Sequence, residues 1–258
     1  ALSDATAYPD FFRVVPSDAL QGQALSAVVQ ADSPADGTVG LVHMTNAYGS
    51  GLADAFTADF EAAGHTLCTT IGYEETMTDF SAAVQSMVDN GCTSAVLVSY
   101  AADGGMIIDE MNAQSWSGQV YGGDGIAEEG LATEATSSVN GVIATKPASS
   151  SMGAVGYAFA ALCAQSAECT GGIYTAEAFD GVVLVALAAF AQMASPGATL
   201  SQVMMATGQG LAGASGDISF MANGDVPGAG YCVGDFTEDA DGVSFDCNRS
   251  WDPANGMS

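Results

Sequence analysis

Basic residues are almost missing from this chain. Of its 258 residues only Arg13, Lys146 and Arg249 are basic, against 30 acidic ones, for a formal net charge of −27. Nucleic-acid recognition needs clustered Lys and Arg to neutralise phosphates. Docking on an anionic membrane needs the same, and three scattered cations supply neither. The surplus predicts solubility and strong self-repulsion at low salt. No apolar run reaches the roughly 18 residues that span a bilayer. The longest, Val182 to Met193, is bounded by Asp180 and Pro196. The first residues hold no basic n-region and no apolar h-region, so no signal peptide is expected. Catalytic and metal motifs are missing too. There is no Cys-x-x-Cys, no Gly-x-Ser-x-Gly elbow and no Gly-Lys-Ser/Thr after glycine-rich stretches such as Gly208-Gln-Gly210. Asp235 to Asp241 lacks the calcium-loop pattern with its closing Glu. His43 and His65 have no ligand-like spacing. Carboxylate pairs such as Glu74-Glu75 and Glu128-Glu129 are what thirty acids produce by chance, and argue little for acid–base chemistry. The expectation is a protein that is not an enzyme and uses no cofactor or metal.

What is present is core-forming material. Hydrophobic residues make up 48% and mean hydropathy is +0.26, so the chain is not disordered. Six cysteines, an even number, suit an oxidising compartment. Tyr231–Phe236 and Val243–Cys247 flank a turn-like acidic stretch. Pairing Phe236 with Val243 sets Cys232 opposite Cys247, within reach of a disulfide. Cys163 and Cys169 close a small loop after a helix, which leaves Cys68 with Cys92.

Along the chain, apolar runs alternate with segments of helical spacing. Val39–Met44, Thr66–Tyr73, Ala95–Ser99, Gln119–Gly122 and Ser138–Ala144 read as strands. Leu52–Ala63, Phe80–Asp89 and Gly105–Gln114 read as helices, with Gly64 as a C-cap and Asp79 or Thr78 as an N-cap. Thr45–Gly51 reads as a loop. This alternation predicts an α/β, doubly wound parallel sheet. Such sheets bind ligands beyond the carboxyl ends of their strands, the edge where Tyr48, Tyr100 and Asp124 fall. After Lys146-Pro147 the pattern changes to a linker at 149–153 and helices at 155–165, 176–193 and 200–206. The segment 217–220, a turn around Asn223-Gly224-Asp225 and the cysteine hairpin follow.

Several segments together resemble one family. Phe11-Phe-Arg-Val-Val-Pro-Ser-Asp-Ala-Leu-Gln-Gly22 is similar to the segment by which type I periplasmic binding proteins leave their first lobe. Tyr48-Gly-Ser-Gly-Leu-Ala53 resembles the start of the second lobe's first helix, and Asp79-Phe-Ser81 the opening of a later one. Tyr174-Thr-Ala-Glu-Ala-Phe-Asp-Gly-Val182 resembles the helix returning to the first lobe. Gly216-Asp-Ile-Ser-Phe220 and Asn223-Gly-Asp225 resemble the last crossover. Order and spacing agree over nearly the whole chain, and the subgroup is that of the branched-chain amino acid (Leu/Ile/Val) binding proteins.

The resemblance implies a second lobe plus a remnant of the first, divided as 1–31, 32–148, 149–215 and 216–258. It implies a periplasmic or extracellular substrate-binding component of an ABC importer that closes on an amino acid or similar solute in an interlobe cleft and meets the permease subunits. The alternatives are a ligand-sensing receptor domain and an acidic interaction domain without a ligand. By the same resemblance Tyr48, Tyr100 and Asp124 are ligand-binding, with Asp124 holding an ammonium group. Asn46, Asp103 and Glu128 are rim candidates. The helices at 155–165 and 176–193 are apolar on wide faces that would normally lie on a sheet, so they are expected to be covered by a partner chain, by rearrangement or by crystal neighbours.

Overall fold

The computed structural model describes residues 2–32, 34–148, 153–166, 169, 174–228, 230–240 and 242–258. Their contacts form two units. Unit 1 is Ala1–Ser17 with Pro147–Ala229, and unit 2 is Asp18–Lys146 with Gly230–Ser258.

Unit 2 is built on one sheet. Its elements are α1 (Asp18–Ala31), β1 (Val39–Met44), α2 (Ala47–Ala62), β2 (Leu67–Tyr73), α3 (Ser81–Asp89), β3 (Ser94–Val98), α4 (Ala101–Ala113), β4 (Gln119–Gly122), α5 (Gly130–Glu134) and β5 (Ile143–Pro147). The strand order β2-β1-β3-β4-β5 is parallel throughout. Beyond β5 the sheet continues through β8 (Tyr231–Asp239), β9 (Gly242–Asp252) and β10 (Gly256–Met257), the last three paired antiparallel. This is the doubly wound sheet the alternation predicts, extended by an antiparallel edge.

Strand side chains alternate between two cores, as the period of two demands. Leu41, Val96, Val98 and Tyr121 pack with Leu25, Val28 and Val29 of α1 and with Leu52, Phe56 and Phe60 of α2. Val42, Ala95, Leu97 and Val120 pack with Val84 and Met87 of α3 and with Ile107 and Met111 of α4. Both faces are thus covered, which is why β1 and β3 read as continuous apolar runs.

Several boundaries differ from the sequence reading. Asn46 caps α2 by accepting from Gly49 N–H at 2.8 Å, so most of the expected loop 45–51 is the first turn and a half of a helix. Gly49 belongs there because a Cβ would lie 2.1 Å from the Met44 carbonyl oxygen. α4 begins four residues earlier than expected, directly after Tyr100. The fifth strand is Ile143–Pro147 rather than 138–144, because Gly141 takes a positive φ of 80° and turns the chain just before it. α1 was not anticipated at all, since its buried face includes Gln21 and Ser26. It packs in unit 2, although the sequence reading grouped 1–31 together.

All three expected disulfides form: Cys68–Cys92, Cys163–Cys169 and Cys232–Cys247. The hairpin register is different, however. Phe236 opposes Phe245 rather than Val243, and the strands run on to Asp239 and from Gly242. Cys232 opposes Ser250, and Cys247 opposes Gly234. A bulge between Val233 and Gly234 offsets the strands, and the two cysteines meet with Cα atoms 5.5 Å apart.

Unit 1 contains α6 (Ala154–Cys163), α7 (Thr175–Ala194), α8 (Leu200–Thr207) and the two-stranded sheet of β6 (Gln209–Ala212) and β7 (Asp217–Ser219). Its buried core is small: Leu184, Ile218, Phe220 and Val226, with Phe12 and Val14 against them. Arg13 Nε meets Asp225 Oδ1 at 2.5 Å. α7 is long and apolar enough, by length and composition, to cross a membrane, which the run-length reading missed. It carries two buried carboxylates, Glu177 and Asp180, in its first two turns. Asp180 accepts from Ala214 N–H (2.7 Å), Ser215 N–H (2.8 Å) and Ser215 Oγ (2.6 Å). Farther along, within this unit, Val182, Val185, Phe190 and Met193 are exposed, the last two at 68% and 72%.

Thr199 closes a capping box on α8, its hydroxyl accepting from Gln202 N–H while Gln202 Oε1 accepts from Thr199 N–H. Thr199→Ala is expected to cost about 1 kcal/mol. Denaturant unfolding followed by far-UV circular dichroism checks it, and a change near zero would show that α8 does not depend on its cap.

Candidate functional site

The carboxyl ends of β1, β2, β3 and β4 deliver four short segments to one edge of unit 2. After β1 come Asn46 and Tyr48 at the start of α2. After β2 comes Glu75. After β3 come Ser99, Tyr100 and Asp103 at the start of α4. After β4 comes Asp124, opening a single turn of 3-10 helix, Asp124–Ile126.

Asp124 is the centre of this cluster. It is 7% exposed, and the Tyr48 hydroxyl donates to its Oδ1 at 3.0 Å. The Gly125 N–H in turn donates to the Tyr48 hydroxyl oxygen at 3.2 Å. Burial first, and then the Asp124 charge, raise the Tyr48 phenol far above its usual range, so it stays a neutral donor. The Tyr48 and Tyr100 rings stack with centroids 5.2 Å apart and planes 15° from parallel. Tyr100 is 47% exposed, so the stack presents a face to solvent. Gly125 is required here, because a Cβ would stand 2.4 Å from the Ser99 carbonyl oxygen and 3.1 Å from the Tyr48 hydroxyl.

The flanks are acidic. Asn46 Nδ2 donates to Glu75 Oε1 at 2.6 Å, while its Oδ1 caps α2. The Tyr73 hydroxyl lies 2.8 Å from Ser99 Oγ and 3.3 Å from Asp103 Oδ2. Burial and the Glu75 charge raise the Asp103 carboxyl, opposed by the Tyr73 hydroxyl. Burial, Asp124 and Glu75 raise the Tyr100 phenol. Within unit 2 neither cation reaches this edge by a described interaction. Lys146 sits over the Phe245 ring at 4.8 Å, and Arg249 pairs with Asp32 at 3.4 Å. Chemically the edge offers one buried carboxylate, an aromatic platform and, among the described contacts of unit 2, no basic side chain, a combination suited to an ammonium group on a compact organic body.

The structure therefore brings Tyr48, Tyr100 and Asp124 into contact and places Asn46 and Asp103 beside them. Glu128 makes no described contact with these three, and its charge acts on Lys146. Glu75 was set aside in the sequence reading as one of a chance carboxylate pair, although it lies two residues after β2 and the strand-end rule applies to it as well. Gln21 was also missed. It is 4% exposed, donates to the Thr145 carbonyl at 3.2 Å, and lies under Gly123 beside the site. No local motif marks it, since α1 reaches the strands only through the fold. His43 is bound to the Met44 carbonyl and His65 stacks on Phe60. Among the described residues no cluster of His, Cys, Asp and Glu has the geometry of a metal site.

Residues 1–239 match the family model described as the receptor family ligand binding region. Among curated proteins, the Leu/Ile/Val-binding protein homolog 3 of Brucella melitensis is 29% identical over 119 residues, 45% of this chain and 31% of that protein. The Leu/Ile/Val-binding protein homolog 2 of Brucella abortus is 30% identical over 134 residues, 52% and 36% of the two chains. The matches thus span about a third of these relatives' lengths. Among solved structures, a leucine-binding protein from Thermotoga maritima superposes with a TM-score of 0.78 at 18% identity, covering 94% of this chain and 68% of that one. A solute-binding protein of an ABC transporter from Rhodopseudomonas palustris, in complex with p-hydroxybenzoic acid, gives 0.79 at 14%, covering 98% and 70%. At such identities these two show the fold, which is that of the type I periplasmic binding proteins. With most of its length matched by the family model, the chain belongs to the receptor ligand-binding-region family.

Proposed function

We propose that this chain is a substrate-binding component of an ABC importer, working in the periplasm or outside the cell, and that its unit 2 supplies one wall of a site for an amino acid or similar ammonium-bearing solute. The observation that carries this reading is Asp124, a buried carboxylate at the strand-end edge, held by a tyrosine hydroxyl and backed by stacked rings. In this reading Asp124 accepts from the ligand ammonium group, Tyr48 fixes the carboxylate, and the Tyr48–Tyr100 pair lies against the apolar part of the solute. Asn46 and Asp103 line the rim, with Glu75 adding negative potential that attracts cations. No catalytic step is assigned. Three disulfides fit an oxidising compartment.

Relatives carrying Leu/Ile/Val names and a neighbour holding p-hydroxybenzoic acid suggest two solute classes. The absence of a basic side chain among the described contacts of this edge favours the ammonium-bearing class over a simple aromatic acid. The permease subunits of the importer are the proposed partners. A further polypeptide is proposed to cover the exposed apolar residues of α7, since soluble proteins rarely leave such patches bare. The second reading is a ligand-sensing receptor domain, favoured by the description of the matching family. It uses the same site.

The test is thermal denaturation of the protein against paired ligands with and without the amino group, leucine beside 4-methylpentanoate being the first pair. Bound ligand at about a hundred times its Kd stabilises by about 2.7 kcal/mol. Leucine or another amino acid is expected to raise the Tm while its deaminated partner does not. Equal shifts within every pair would remove the ammonium assignment. Benzoates acting alone would move the protein to the aromatic-acid class.

A further inference from the structure

Unit 1 contains a cavity of about 480 Å³ that plays no part in the edge described above. Val14, Val155, Ile218 and Val226 give it an apolar part, and Glu177 of α7, Ser215 and Asp217 give it a polar one. Glu177 is 8% exposed. One helical turn later, Asp180 has three donors from the 214–215 loop. Glu177 has none of these. Among the described residues its carboxyl accepts only from its own backbone N–H, and burial together with the Asp180 charge raises its pKa. The fold gives one acid on this helix face three donors and sets the other in the wall of a space large enough for a small molecule, where a ligand donor could reach it.

We propose that this cavity is a second ligand site, binding a small organic amine whose ammonium group donates to Glu177 and whose apolar body fills the space among Val14, Val155, Ile218 and Val226. The solute proposed for unit 2 would have a ligand wall of its own, independent of this one.

Benzylamine, cationic at neutral pH, is the probe, with benzyl alcohol as its neutral counterpart. Calorimetric titration uses the full chain carrying Asp124→Asn, so that the unit 2 edge does not contribute. Benzylamine is expected to bind at one site and benzyl alcohol at least about tenfold more weakly, the scale of one charge-assisted hydrogen bond. Adding Glu177→Gln is expected to reduce benzylamine affinity by about tenfold or more while benzyl alcohol is unaffected. Glu177→Asp, which keeps the charge on a shorter arm, retains part of the binding and serves if the Gln variant does not fold. Absence of benzylamine binding in the Asp124→Asn chain would overturn the proposal. So would equal affinity for amine and alcohol, or an affinity indifferent to both changes at Glu177. None of these outcomes bears on the Asp124 reading, which is tested by amino acids in the unsubstituted protein.

Discussion

Asp124→Asn is expected to weaken binding of the ammonium-bearing solute by about a hundredfold, the loss typical when one partner of a buried, hydrogen-bonded charge pair is removed. The substitution is nearly isosteric, and the new amide oxygen can still accept from the Tyr48 hydroxyl, which lies 3.0 Å from Oδ1. The geometry of the pocket wall is therefore kept, and what disappears is the charge. Titration calorimetry of the variant with its best amino-acid ligand reads the effect directly. Tyr48→Phe provides the graded comparison: it removes the hydroxyl that holds Asp124 but keeps the ring stacked on Tyr100, so a loss of about tenfold is expected. An Asp124→Asn protein that binds normally would show that the carboxylate only braces the turn at Asp124–Ile126.

Asp180→Ala is expected to cost about 3 kcal/mol, since a buried donor left without its acceptor costs about 1–3 kcal/mol and breaking a buried hydrogen-bond network is among the larger single effects. Three donors, Ala214 N–H, Ser215 N–H and Ser215 Oγ, lose their partner together. The damage should be local. Asp180 lies in unit 1, whose buried core is far smaller than either face of unit 2. Hydrogen exchange read peptide by peptide should show loss of protection in α7, β6 and β7, with the strands of unit 2 unchanged. Uniform loss across both units would mean that they melt as one, and no loss would mean that the 214–215 loop keeps its place without Asp180.

The parallel sheet was legible because burial on both faces leaves strands such as Val39–Met44 and Ser94–Val98 almost free of polar residues. The place of Tyr48, Tyr100 and Asp124 at the strand ends was legible by the same logic, since they follow β1, β3 and β4, whereas their singling out as ligand residues came from the resemblance. The disulfides followed from even number and spacing, yet the hairpin register did not. A bulge at Val233/Gly234 leaves no mark that distinguishes it from a regular strand containing glycine. The residue pattern read Asn46 and Gly49 as loop while the resemblance placed a helix start at Tyr48–Ala53, and the glycine is what lets that helix begin against the Met44 carbonyl. α1 stayed hidden because its core-facing side carries two polar residues, Gln21 and Ser26, with Gln21 satisfied by Thr145, some 120 residues away. The buried pair Glu177 and Asp180 could not be separated by sequence either, since only the loop at 214–215 decides which of the two is satisfied.

The order of strands in the large sheet also bears on how the chain is made. β8 lies beside β5, although 83 residues of unit 1, Pro147–Ala229, are synthesised between the two stretches that form unit 2. During folding, β1 to β5 can pair while β5 still lacks its neighbour. Non-local pairing of this kind is slow, and an unpaired strand edge is a template for another chain. Each folding chain therefore carries an open, hydrogen-bonding edge until residues 231–239 dock. A net charge of −27 is well suited to keeping neighbouring chains apart during that interval.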